Sequence, residues 1–102
     1  MDALPLPSEL SIYSAAELHP QWLAWAGDAA SAGTEALADG QGVDQVDGAG
    51  VQLLLALQRC LAARGCTLRL RAPSLPLREA CAALGLATWL GDLQTPSPAE
   101  AA

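Results

Sequence analysis

The chain has 102 residues, 52% of them hydrophobic, and carries a net charge of −6: eleven acids face five arginines, with no lysine and a single histidine. This length makes one domain, able to bury somewhat under 70% of the surface its unfolded chain exposes. The charge excludes the extended basic face of a nucleic-acid binder, and the missing lysine excludes a P-loop, a Schiff-base lysine and a lysine general base.

No apolar run approaches the roughly 20 residues of a membrane span; Leu53 to Leu57 is bounded by Gln52 and Gln58. The N-terminus lacks a basic segment followed by an apolar one, so no export signal is expected and the cytoplasm is the expected location. Cys60, Cys66 and Cys81 lack the paired spacing of zinc or redox motifs and read as small apolar thiols.

In chain order, Leu4 to Ile12 alternates apolar and polar residues between prolines at 5 and 7, which predicts an edge-type strand firm over Glu9 to Ile12. Ser14 followed by Glu17 has capping-box spacing and predicts a helix start there. Pro20 falls in its second turn and is expected to kink it. Trp22, Leu23, Trp25 and Ala26 form an apolar stripe ending at Gly27; the tryptophans are either partly core or an exposed anchor for a partner. Ala29 to Gly33 reads as a loop. Thr34 to Asp39 is a weak strand, assigned from its surroundings.

Val43 to Val46 is a short strand-like lead into the turn Asp47, Gly48, Ala49, Gly50. Glycines there suit positive φ or a close approach by another surface. Asp47 is placed to cap the helix that follows, Gly50 to Ala63, which Gly65 closes. That helix has an apolar arc wider than one sheet contact requires: either two neighbouring elements cover it or part is left for a partner. Cys66 to Arg71 alternates cleanly, with Leu68 and Leu70 on one face. Ser74 caps a helix to about Leu84, with Pro76 in its first turn and Gly85 as its stop. Leu86 to Leu93 is a last apolar segment, and 94–102 reads as a disordered tail after a single domain, 1–93. Strands alternating with helices make an α/β fold with a largely parallel sheet, whose partners meet the loops at the carboxyl ends of strands.

Three stretches, SELSIYSAAEL, DGQGVDQVDGAGVQLLL and ARGCTLRLRAPSLPLREACAALGL, resemble in order the signature regions of the STAS domain of anti-sigma factor antagonists and sulfate-transporter tails. The resemblance runs from about Leu4 to Leu90. It implies a small STAS-like fold: a mixed, mostly parallel four-stranded sheet packed with three to four helices. The segment Asp39 to Val43 is similar to the family's Asp-Leu-Ser-Gly-Val, and Asp47 to Gly50 to its Asp-Ser-Ser-Gly turn. In partner-switching members the second residue after that aspartate is a phosphorylated serine or threonine. Here it is Ala49, and no hydroxyl occurs between Gly42 and Cys66, so that switch cannot operate. Gly40 stands where the family has an aliphatic residue, which puts the end of that strand in question. The first strand of the family's N-terminal hairpin is missing, leaving an edge open to a homodimer.

Enzymatic chemistry is not expected. His19 reads as a surface or rim residue, and Asp39, Asp44 and Asp47 lack the oxygen pattern of a cation loop, so neither metal nor cofactor is expected. The resemblance implies a non-catalytic signalling adaptor whose partner is an anti-sigma or histidine-kinase-type regulator or a chemotaxis component. The alternative is an accessory subunit bound to the ATPase of a lipid-asymmetry (Mla-type) transporter. The expected contact surface comprises Asp39, Gln41 and Gly42 of the loop, Asp47, Gly48, Ala49 and Gly50 of the turn, and Gln52, Ala56 and Arg59 on the helix.

Overall fold

The computed structural model describes residues 3–94; from residue 95 on, the expected tail lies outside them. Its elements run β1 (Leu4–Pro5), β2 (Glu9–Leu10), α1 (Ile12–Ala32), β3 (Glu35–Asp39), β4 (Gln45–Val46), α2 (Gly48–Ala62), β5 (Thr67–Arg71), α3 (Leu75–Ala83) and α4 (Ala87–Leu93). The α/β order is the expected one. All described strand pairs are parallel, in a three-stranded sheet β1-β3-β5 and a two-stranded sheet β2-β4. This replaces the single mixed four-stranded sheet.

The split has a local cause. The segment holding β1 and β2 runs beside the segment holding β3 and β4, and both break at the same level. Leu6 N–H still donates to the Asp39 carbonyl at 2.8 Å, but Pro7 has no donor to continue the ladder. Opposite it the chain turns through Gly40 to Gly42, and pairing resumes at Glu9↔Gln45 and Leu10↔Val46.

The first helix departs most from expectation. Its cap is Ser11, not Ser14: the Ser11 hydroxyl accepts the Tyr13 N–H at 3.1 Å, and the Ser14 hydroxyl accepts the Ser11 N–H at 3.0 Å. Ile12 therefore opens α1 instead of closing a strand. The helix continues through Pro20 and Gly27 to Ala32, absorbing the expected loop. Pro20 is on the solvent side, where water can satisfy the carbonyl that the missing N–H leaves free, and Ala29, Ala30 and Ala32 are strong helix formers.

α2 lies at the centre of the packing, against α1, β5, α3 and the β2-β4 pair. This resolves its wide apolar arc: Val51, Leu54, Leu57 and Leu61 are buried by several neighbours at once. Trp22 is core and Trp25 half-buried, so the pair is not a free anchor. The Trp89 indole N–H donates to Gln58 Oε1 at 2.9 Å, fastening α4 to α2. Gly65, at φ +73°, ends α2 as read, and Gly85, at φ +75°, ends α3. Gly40 closes β3 without disorder: it is buried, and a Cβ there would sit 3.2 Å from Leu77 Cδ2 and from the Pro73 backbone. Cys66 and Cys81 are buried, and burial pushes the Cys81 thiol up, which makes it inert.

Candidate docking site

The turn before α2 is built around one carboxylate. Asp47 Oδ1 accepts the Gly50 N–H at 3.0 Å, the N-cap bond anticipated from sequence. Its other oxygen, Oδ2, accepts the Ile12 N–H, also at 3.0 Å, at the first residue of α1. One side chain thus satisfies a bare amide at the start of each of two helices. The Ile12 and Gly50 amides hold the Asp47 carboxyl below its ordinary value. The Asp47 N–H in turn donates to the Leu10 carbonyl at 3.0 Å, so backbone and side chain together lock the turn to the β2–α1 junction.

The two glycines of the turn have different roles. Gly48 is exposed, and a Cβ there would meet nothing. Gly50 is buried, and a Cβ on it would fall 2.0 Å from the Leu10 carbonyl oxygen. This is the close approach for which a glycine was expected, and it is made by the chain itself. Gly50 therefore drops out of the predicted contact surface as a residue that a partner could touch. Ala49, between them, is half-buried at the opening of α2.

The Asp39 loop is organised separately. Asp39 Oδ1 accepts the Gln41 N–H at 2.9 Å and Oδ2 accepts Arg71 Nη2 at 2.9 Å. The Gln41 amide, and secondarily the Arg71 guanidinium, lower the carboxyl's pKa. Gly40 N–H donates to the Arg71 carbonyl, and its own carbonyl accepts the Ser74 N–H. The loop is thereby tied to β5 and α3, whereas the Asp47 turn is tied to β2 and α1. Gln41 and Gly42 are exposed and Asp39 half-buried; on α2, Gln52, Ala56 and Arg59 are all exposed.

The sequence reading missed the other half of this corner. Ile12 is 66% exposed and Tyr13 88%, and the Ile12–Asp47 bond places them beside the turn. Ser11 and Ser14, three apart ahead of a helix, carried the signal. Among the described residues no group of three His, Cys, Asp or Glu side chains could hold a metal, and no helix is long and apolar enough to cross a membrane.

A family model described as the MlaB, STAS domain matches residues 2–95. The chain belongs to the STAS-domain family. No curated relative matches it by sequence. Solved structures that share its fold include two of SpoIIAA. The anti-sigma factor antagonist SpoIIAA in its unphosphorylated form aligns at TM-score 0.66 and 22% identity, over 95% of this chain and 80% of that one. The Bacillus cell fate determinant SpoIIAA in its phosphorylated form aligns at 0.63 and 22%, over 95% and 83%. In this STAS domain the turn at Asp47 is held by two carboxylate hydrogen bonds, and Ala49 offers no hydroxyl.

Proposed function

We propose that this STAS domain is a non-catalytic protein-interaction module whose unit is residues 1–93. It docks through the Asp47–Ala49 turn, the exposed side of α2 at Gln52, Ala56 and Arg59, and the rim of the Asp39–Gly42 loop. The observation that carries the reading is the turn: a bend fixed from both ends by the Asp47 carboxylate, presenting Gly48 and Ala49 where a phosphorylated member would present a hydroxyl. A phosphate at a helix start adds about −1.5 to −2 charge and remakes any surface that binds there. With alanine in that place the surface keeps one state and is always competent to bind. The solved SpoIIAA structures, in phosphorylated and unphosphorylated forms, support the comparison.

The partner in this reading is a regulator of the anti-sigma or histidine-kinase type or a chemotaxis component. A second reading, an accessory subunit on the ATPase of a lipid-asymmetry transporter, is favoured by the MlaB description of the matching family model. Self-pairing along a sheet edge is the lesser expectation, because β1 is two residues long and ends in proline. The test is Ala49→Glu, which puts a carboxylate into the docking face at a partly solvent-facing helix start. Capture of the partner from the source cell should be lost while circular dichroism and melting stay unchanged. Undiminished capture by this variant overturns the proposed surface. The identity of the captured protein, regulator or transporter ATPase, separates the two readings.

A further inference from the structure

The corner at Asp47 continues into a groove between α1 and α2. A shallow cleft of about 20 Å³ lies there, lined by His19, Trp22, Leu23, Leu53, Ala56, Leu57 and Cys60. On α1, Ile12, Ala16, His19 and Leu23 recur at spacings of three and four, and all are exposed. On α2, Ala49, Gln52, Ala56 and Cys60 repeat the pattern, and none is buried. Leu23 is 43% exposed at the mouth of the cleft, and Ile12 and Tyr13 stand bare at the groove's Asp47 end.

Charge along this groove is lopsided. Glu9, Asp44 and Asp47 lie at or next to the Asp47 end. The arginines lie elsewhere: Arg69 and Arg71 are paired with Glu35 and Asp39, and Arg78 is on α3. Arg59 is about 18 Å along α2 from Asp47, at 1.5 Å per residue. The Arg64 guanidinium lies against Gly27 in the second half of α1. One end of the groove is acidic and unneutralised, and the other has the cations.

Resting on the docking reading above, we propose that the α1–α2 groove receives a single amphipathic helix of the partner. Its apolar stripe lies over the cleft between Leu23 and Ala56, and its cationic end lies over Glu9 and Asp44. The small side chains of Ala49 and Ala56 let a helix backbone approach closely, the helix-in-groove mode of recognition. The acidic end gives the orientation and the on-rate.

The experiment follows backbone amide shifts of the full chain by NMR during titration with two synthetic helical peptides. Both carry leucines along one face; one has arginines clustered at one end and the other has glutamates in their place. The arginine peptide should shift amides of residues 12–23 and 49–60, bind about tenfold or more tighter than the glutamate peptide, and weaken as salt rises. Leu23→Asp, a change at an exposed position, should weaken it by about tenfold or more. Absence of shifts in the groove, equal binding of both peptides, or concentration-dependent shifts of the same amides without peptide each overturn the proposal. Leu23 lies outside the docking surface probed by Ala49→Glu. If Ala49→Glu abolishes partner capture and Leu23→Asp does not, the groove is refuted and the docking surface stands; if neither does, both fall.

Discussion

Replacing Gly50 by alanine adds one methyl group at the tightest backbone contact of the fold. An ideal Cβ there lies 2.0 Å from the Leu10 carbonyl oxygen, 2.5 Å from its carbon and 2.8 Å from its Cβ. An ordinary carbon–oxygen contact is about 3.3 Å, so something must move by more than about 1 Å. The obstacle is backbone, and Leu10 is itself fully buried, so no side-chain rotation relieves it. Lifting the Leu10 carbonyl away also strains its bond from the Asp47 N–H and the Leu10↔Val46 pairing. Overpacking costs about 1–3 kcal/mol in general, and a lost backbone hydrogen bond about 1 kcal/mol more. The gain in helix propensity offsets at most about 1 kcal/mol. A net loss of about 3 kcal/mol is expected, a large part of the roughly 5–15 kcal/mol such a domain has. At about 4–8 °C per kcal/mol, the melting temperature should fall by about 12–24 °C in a circular-dichroism melt. Gly48→Ala is the internal control: open space surrounds it, so it should match or exceed the wild type. A Gly50→Ala protein melting within about 4 °C of wild type refutes the close approach.

Further outcomes concern the carboxylate, the core and the thiols. Asp47 has a lowered folded-state pKa, so its contribution to stability is fully present above the unfolded value of about 3.9 and is lost as pH falls through the folded one. Urea titrations should therefore show a shallower acid-side loss for Asp47→Asn than for wild type, with Asp39 supplying a residual slope of the same sign. An identical pH profile would mean that the double cap is not formed. Leu61→Ala, at a fully buried position in α2, should cost about 2–5 kcal/mol by chemical denaturation. Trp89→Phe removes the donor to Gln58 and should cost about 1 kcal/mol; Gln58→Leu in the same background should then cost less than it does alone. A thiol reagent should modify Cys60 well before Cys66 and Cys81, which react only on unfolding.

Much of this was legible from residue type and spacing because the deciding forces were local. Alternation in Thr67 to Arg71, the Ser74 cap with Pro76 behind it, and the glycines at 65 and 85 each fix an element without reference to anything distant. Asp47 as a helix cap was equally readable. Its second bond was not, because Ile12 lies thirty-five positions away and was itself assigned to a strand. The length of α1 was hidden by Pro20 and Gly27, which punctuate a sequence but not a helix held by packing of Trp22, Ala26 and Ala29. The division of the sheet depended on Pro7 falling opposite the Gly40–Gly42 turn, a coincidence of register that no single segment reveals. Gly50 could be flagged as needing room, but only the folded chain says that Leu10 fills it.

The shared anchoring of α1 and α2 to one aspartate has a mechanical corollary. Beyond its own Ser11 cap, α1 shares this hinge pin with α2, so fraying at either origin disturbs a carboxylate that the other helix also uses. A ligand that tugs on this pin would slacken both helices together, and one that braces it would stiffen both. Occupancy of the corner should therefore be felt as far as the opposite ends of the pair, as slower amide exchange along each, with no moving part required.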